Sequence, residues 1–422
     1  MNGLSRAAII AVGSELLTAS RVDTNSLFIT DRVNTLGVDV VFKAVVGDDR
    51  EELAGMVRLA LTRADLVICC GGLGPTDDDV TREAAAAAVG LHLREDEAIT
   101  ERLRVRFKAR FTGEMPEINR RQAMVPDGAR VIENPNGSAP GLWIDVENHA
   151  VLLLPGPPRE LKPMVDGLVA GLLRERCSGR VLMRRVLKIA GRIESQTEEE
   201  LMPLYVRWRN WPIPVEATIL ASLGQLELHL SARAPSGDEA TAVLREAVED
   251  VIKVLGADVF TTEGRDLEEV LGDLLLARGF RIAVAESCTG GLIASRLTDV
   301  AGSSRYVERG VVAYSNEAKS ELLGVPSALI AEYGAVSEPV GRAMAEGIRS
   351  QARVDVGVGV TGIAGPGGGS PEKPVGTVVI AVSVGQTVQT RTARFRGERD
   401  QVKYQAAQTA LDMVRRLLLP GP

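Results

Sequence analysis

Histidine and cysteine are scarce in this 422-residue chain, and their scarcity removes several chemistries at once. The three histidines, His92, His149 and His229, are scattered, so no His-rich metal site can be assembled, and none falls in the last third of the chain. The four cysteines, Cys69, Cys70, Cys177 and Cys288, show neither CxxC spacing nor a framework-like spread. Structural disulfides and a thiolate metal site are therefore not expected. Excess positive charge is missing too. Asp and Glu outnumber Lys and Arg by 56 to 49, a net charge of -7, so the electrostatic footprint of a general nucleic-acid binder is absent. A small anionic substrate stays open, because a local pocket can be basic on an acidic protein. No uncharged apolar stretch reaches the ~18 residues of a membrane span, and MNGLSRAAIIAVGSELL has no long apolar leader segment. A cytoplasmic protein without a membrane partner is expected.

What is present suits a soluble α/β enzyme. The composition, 45% hydrophobic and 25% charged, is ordinary for a globular protein, and 422 residues predict two or three domains. Up to about residue 168, strand-like runs (AAIIAVG, VDVVFKAVVG, ADLVICCGG, HAVLLLPG) alternate with helical EELAGMVRLALTR and TREAAAAAVG, the pattern of a mostly parallel sheet. Residues 169–262 change texture: RVLMRRVLKIAG, helical ESQTEEELMPLY, TILASLGQLELHLSARA and helical SGDEATAVLREAVEDVIKVLG predict a small α+β unit with an antiparallel sheet. That unit carries no clustered chemistry and reads as a spacer or dimerisation module. Residues 263–422 return to α/β, from DLEEVLGDLLLARG to the closing helix QVKYQAAQTALDMVRRLLL. There is no internal repeat.

Polar groups gather at strand ends, where open α/β sheets bind ligands. In the first domain, GSELL and RVDTNS supply Glu15, Asp23 and Asn25, VVGDDRE supplies Asp48 and Asp49, and GGLGPTDDDVTRE supplies Gly71, Gly72, Gly74, Thr76, Asp77, Asp78, Asp79 and Thr81. Glycines let the backbone approach a phosphate, while neighbouring carboxylates would repel it unless a cation bridges them. The combination implies a divalent metal; the plainer reading of the Asp run is an acidic helix start. Glu160, in LLPGPPREL, serves either as a cap or as a ligand.

In the last domain, RIAVAESCTGG puts Glu286 and Ser287 at a strand end, with Thr289, Gly290 and Gly291 opening the helix LIASRLTDV. A helix start there offers free N–H donors for an oxyanion, each worth roughly 3 kcal/mol if the geometry is right. VVAYSNEAK adds Tyr314, Asn316 and Lys319; GVGVTGIAGPGGGS adds Thr361, Gly362 and Gly365; RFRGERDQVK adds Arg394, Arg396 and Arg399, suited to gripping a phosphate. With no histidine in this unit, the base must be a lysine or a tyrosine, and a lysine serves if burial lowers its pKa. Adjacent residues at a strand end point opposite ways, so only one of Ser287 and Cys288 faces the pocket. Lacking a His to pair with the thiol, Ser287 is the expected nucleophile.

GGLGPTDDDVT, with GSELL, NPNGSAPG and LLPGPPREL, resembles the competence/damage-inducible protein CinA family, whose first domain is similar to the molybdopterin-binding fold. The superfamily motif GGTG, followed by an Asp before Val-Thr, matches Gly71 to Gly74 and Asp79, with Leu73 replacing Thr. The resemblance implies metal-assisted hydrolysis of ADP-ribose to AMP and ribose 5-phosphate, with a divalent cation (Mg, Mn or Co) and potassium. Gly71, Gly72, Gly74 and Thr76 would bind substrate, and Asp48, Asp78 and Asp79 would handle metal or water. AESCTGG, YSNEAK, GVTGIAGPGGG, KPVGTV and FRGERD resemble the family's carboxy-terminal domain, similar to stand-alone nicotinamide-nucleotide amidases. That implies conversion of nicotinamide mononucleotide to nicotinic acid mononucleotide and ammonia without a metal. By motif, Ser287 is the nucleophile, Lys319 and Tyr314 move its proton, and Thr361 belongs to the catalytic pocket. Ser304, Thr289, Gly290, Gly362 and Arg399 contact substrate, with Arg399 a candidate for the 5′-phosphate.

The resulting expectation is a multidomain α/β, homodimeric, bifunctional enzyme of pyridine-nucleotide recycling. It comprises a molybdopterin-binding-like domain (1–168), a small α+β unit (169–262) and an amidase domain (263–422). Two alternatives stay open: a molybdopterin adenylyltransferase in the first domain, and a non-catalytic adaptor in DNA uptake or repair.

Overall fold

The β-branched runs of the first domain pair as neighbours in the computed structural model, which describes residues 3–110, 114–177 and 179–419. In chain order the elements are β1 (Arg6–Val12), α1 (Asn25–Asn34), β2 (Asp39–Val46), α2 (Arg50–Leu61), β3 (Leu66–Cys70), α3 (Thr81–Val89), β4 (Leu93–Glu95), α4 (Glu97–Arg110), β5 (Met124–Pro126), β6 (Arg130–Ile132), β7 (Gly141–Val146), β8 (His149–Leu154), α5 (Pro158–Ala170) and α6 (Leu172–Arg176). The main sheet has the order β2-β1-β3-β8-β7-β6, parallel across β2, β1, β3 and β8 and antiparallel at β7 and β6. Side chains alternate across β1. Ala7, Ile9 and Ala11 pack with Ile29, Leu161 and Met164, while Ala8, Ile10 and Val12 pack with Leu53, Val57 and Ala84. Burial on both faces explains why these strands read as continuous apolar runs. The C-terminal ends of β1, β3 and β8 then deliver Gly13, Gly71 and Pro155 to one edge.

The middle segment folds as β9 (Val181–Ala190), α7 (Glu194–Arg209), β10 (Val215–Ser222), β11 (Gln225–Ala234), α8 (Gly237–Leu255) and β12 (Val259–Thr261), with sheet order β10-β11-β9-β12. Along β11 the pattern QLELHLSARA buries every second residue, so one face is fully packed and the other half-buried. Two units emerge from the contacts, Met1–Met183 with Ala232–Ala242 and Arg184–Ser231 with Val243–Pro422. Most of the middle segment thus groups with the carboxy-terminal part.

That part contains α9 (Leu267–Arg278), β13 (Ile282–Glu286), α10 (Leu292–Asp299), β14 (Val307–Val312), α11 (Asn316–Leu323), α12 (Ser327–Tyr333), α13 (Glu338–Ala352), β15 (Val356–Gly362), β16 (Thr377–Val384), β17 (Thr387–Arg394) and α14 (Arg399–Leu418). Its sheet has the order β14-β13-β15-β16-β17; β13 is parallel to β14 and β15, and β16 and β17 run antiparallel. On β13, Ile282 and Val284 face the layer of α9 and α14, while Ala283 and Ala285 face α13. The VGVGV run of β15 has its own cause. A Cβ at Gly359 would lie 2.6 Å from Ala345 N, so only glycine lets α13 lie this close. Arg415 and Arg416 of α14 donate to Ala257 O and to Asp258, which ties the closing helix to the end of the middle segment. No helix among the described residues is long and apolar enough to cross a membrane.

Candidate active site

Strands β13, β14 and β15 run parallel, so their C-terminal ends meet at one edge and bring residues 286–291, 313–319 and 361–362 together. Ser287 N–H donates to Val360 O at 2.9 Å, fixing the turn after β13 to β15. The Ser287 hydroxyl lies 3.2 Å from Lys319 Nζ. Lys319 reaches it from α11, whose start is capped by Ser315 Oγ accepting from Ala318 N–H. The lysine is only 2% exposed, and burial holds its pKa below the ordinary lysine value, with Cys288 and Glu317 pulling weakly the other way. Three carbonyls surround the nitrogen, Ala313 and Tyr314 at 3.1 Å and Ser315 at 3.4 Å. A neutral amine has two hydrogens and one lone pair. In that form two of the three carbonyls can take its hydrogens, and the lone pair can accept the Ser287 proton.

Cys288 turns the other way, into the core with Val284 and Ile293, and burial pushes its thiol up to about 12. Its thiolate is accordingly scarce near neutrality.

Four expected features are arranged differently. The turn Thr289–Gly291 opens α10 as expected, with Gly291 as its N-cap, but its donors are mostly taken. Glu286, 1% exposed, folds its carboxylate over the turn and accepts from Gly291, Ile293 and Ala294 N–H at 3.1, 3.1 and 2.9 Å. Gly290 N–H goes to Ser287 O. Thr289 is the exception: among the described residues its N–H makes no hydrogen bond, and its buried Oγ1 has no partner. The Tyr314 side chain, 61% exposed, accepts from Arg399 Nη2 at 3.0 Å and touches neither Ser287 nor the Lys319 amine. Thr361 is buried but donates to Ala335 O at 2.9 Å, and a Cβ on Gly362 would meet Thr377 O at 2.8 Å, so both shape the wall. Ser304 sits in the exposed turn before β14, whose first residue pairs with Ile282. Parallel pairing puts it at the opposite edge of the sheet, about 15 Å of strand from Ser287 within one chain.

Arg399, at the start of α14, donates to Gly365 O at 2.7 Å as well as to Tyr314. The sequence places Glu286 at a strand end, but nothing in it signals that the carboxylate holds the turn.

In the first domain a cleft of about 600 Å³ lies at the strand edge, lined by Glu15, Asp23, Asn25, Gly71 to Gly74, Asp79, Gln122 and Glu160 among others. The glycine loop is held by Arg82. Gly71 and Gly72 have φ of 109° and 65°, and Arg82, 1% exposed, donates to Leu73 O and Gly74 O at 2.7 Å each. The three carboxylates expected to share a metal do not converge. Asp79 accepts from Gly74 N–H, Thr76 N–H and Thr76 Oγ1 and closes its own loop, while Asp48 accepts from Ser14 N–H. Asp78 is exposed outside the cleft. Thr76 is likewise spent on Asp79. Among the described residues no group of three His, Cys, Asp or Glu side chains is placed to hold a metal ion. Asp48, Asp78 and Asp79 therefore do not fit as a ligand set.

Three family models match along the chain: "Probable molybdopterin binding domain" over 8–175, "Damage-inducible protein CinA KH domain" over 184–261 and "CinA C-terminal domain" over 264–418. The CinA-like protein of Koribacter versatilis (strain Ellin345) is 45% identical over 417 residues, covering 98% of this chain and all of the relative. The chain belongs to the CinA family. The CinA-like protein of Acidobacterium capsulatum is 46% identical over 417 residues, again 98% of this chain and 100% of the relative. A solved structure, the competence/damage inducible protein CihA from Agrobacterium tumefaciens, is 40% identical over 37% of this chain and 99% of its own, with a TM-score of 0.35.

Proposed function

We propose that the carboxy-terminal domain hydrolyses the carboxamide of nicotinamide mononucleotide to nicotinic acid mononucleotide and ammonia. The observation that carries this reading is the buried Lys319 amine 3.2 Å from Ser287 Oγ, in a domain without histidine. Ser287 Oγ attacks the carboxamide carbon while its proton passes to Lys319 Nζ. Thr289 N–H is the donor for the oxyanion. Collapse of the tetrahedral species breaks the C–N bond, and the Lys319 proton leaves with ammonia. Water, deprotonated by the same amine, then cleaves the Ser287 ester and releases the carboxylate. Ser287→Ala and Lys319→Ala should each lower ammonia release by about 100-fold or more, the usual worth of a positioned acid–base group. Full activity in either folded variant sinks the reading.

For the first domain we propose nucleotide binding in the glycine-lined cleft, with hydrolysis of ADP-ribose to AMP and ribose 5-phosphate as its reaction. Its support is a cleft of nucleotide size walled by a glycine loop that Arg82 holds open. Because Asp48, Asp78 and Asp79 do not fit a divalent ion, no step is assigned to one. Incubating the full chain with ADP-ribose, with and without Mg, Mn or Co and potassium, should yield AMP. Absence of AMP under all conditions refutes hydrolysis, and absence of turnover of both nucleotides favours the adaptor.

A further inference from the structure

The reacting pair is almost closed off from solvent, with Ser287 7% and Lys319 2% exposed. A ring-bearing amide reaches the serine only if part of the surrounding edge moves. Residues 363–376, which join β15 to β16, are held least firmly there. Two backbone bonds close their base, Ile363 N–H to Thr377 O at 2.8 Å and Gly376 N–H to Ile363 O at 2.7 Å. Gly365 and Gly376 both have φ of 91°, a region open to glycine, so each end of the loop can hinge. Between them residues 366–372 are all exposed, and an internal turn joins Ser370 N–H to Lys373 O and Lys373 N–H to Ser370 Oγ. Among the described residues, one hydrogen bond fastens residues 366–373 to the rest of the chain, from Lys373 Nζ to Tyr333 O at 3.0 Å.

Both attachments border the reacting groups. At the base, Arg399 donates to Gly365 O and to the Tyr314 hydroxyl, and the Tyr314 carbonyl accepts from Lys319 Nζ. At the other end, Lys373 meets the last residue of α12, two residues before Ala335, whose carbonyl accepts from Thr361 Oγ1. A lysine on the closing carbonyl of a helix is a favourable contact that water can replace. We propose that residues 366–373 form a flap over the Ser287 site, held down by Lys373 on Tyr333 O and raised to admit substrate and release product. A compact loop with a closed base and a single latch moves as one body. The identity of what passes beneath it rests on the amidase reading of Ser287 and Lys319; the motion does not. Lys373 touches no reacting atom, so it sets entry and exit and leaves bond breaking alone.

The test uses the full chain. Tyr333→Cys with Lys373→Cys, bridged by a short bismaleimide, fixes the flap down, and the wild-type chain given the same reagent controls for the half-buried Cys177. Access is read by hydrolysis of nicotinamide mononucleotide and, through mass spectrometry, by labelling of Ser287 with a sulfonyl fluoride. Bridging should slow both about tenfold or more. Lys373→Met should speed labelling and the release of nicotinic acid mononucleotide about tenfold, the worth of one charge-assisted bond, and Lys373→Arg should restore the wild-type rates. A bridged chain that labels within about threefold of the unbridged one overturns the flap, as does a Ser287 that no form labels. Unchanged labelling in Lys373→Met overturns the latch. Should the wild-type chain hydrolyse no amide while labelling still depends on the bridge and on Lys373, the amidase reading fails and the flap stands.

Discussion

Glu286→Gln tests how the nucleophile's turn is held. The carboxylate receives three backbone donors, Gly291 and Ile293 on Oε2 and Ala294 on Oε1. Glutamine offers one oxygen, so at best two of these bonds survive, as neutral ones, and an NH₂ faces the third N–H. Losing one bond to a charged acceptor costs about 1.5–3 kcal/mol. Weakening the other two costs about 0.5 kcal/mol each, since charge-assisted bonds are roughly twice as strong as neutral ones. Loss of the charge at the start of α10 adds about 0.5 kcal/mol. The sum, about 3–4.5 kcal/mol, corresponds to a rise in local opening of roughly 150- to 2,000-fold. A whole-chain unfolding free energy is not a clean readout for a multidomain protein. Native-state hydrogen exchange at Ile293 and Ala294 reads the opening directly, and it should accelerate by about two to three orders of magnitude. Ammonia release should fall with it, because Ser287 and Thr289 lose their fixed positions. Exchange within a few-fold of wild type would show that the carboxylate does not hold the turn.

Three further outcomes follow from the same geometry. Because the folded pKa of Lys319 is lowered, kcat/KM should rise with pH through an ionisation below the ordinary lysine value of about 10.4, as the amine form fills. In that window the unfolded chain holds the extra proton, so stability also rises with pH up to the ordinary value; a profile flat below pH 10 would contradict an amine base. Cys288→Ala should keep most of the amidase activity, since the thiol is buried and titrates at about 12, and a total loss would reassign the nucleophile. Asp79→Ala in the first domain frees Gly74 N–H, Thr76 N–H and Thr76 Oγ1, which should lower the stability of that domain by about 1–3 kcal/mol, read as a lower melting temperature, and weaken ADP-ribose binding. Unchanged melting and titration would remove the loop-closing role.

The α/β class, the strands β1, β3, β8, β13 and β15 and the candidacy of Ser287 and Lys319 are legible in the order of residues alone. Each is written locally, in apolar runs that end in glycines and in motifs confined to a few residues. What needed the tertiary structure was decided between segments far apart in the chain. The polar run TVQTRTAR gave no strand signal, yet it forms β17 because β16 supplies an antiparallel edge for it. The acids of VVGDDRE and GGLGPTDDD looked like one metal site, but Asp79 closes its own loop and Asp48 turns to Ser14. The resemblance implies a substrate contact for Ser304, and parallel pairing of β14 with β13 sends it to the other edge of the sheet within one chain. Glu286 shows the reverse: its place at a strand end is written locally, and its hold on the nucleophile's turn appears only once the chain folds back over the carboxylate. Residue types disclose which chemistry is available, while the direction of each side chain depends on which distant backbone or charge it meets.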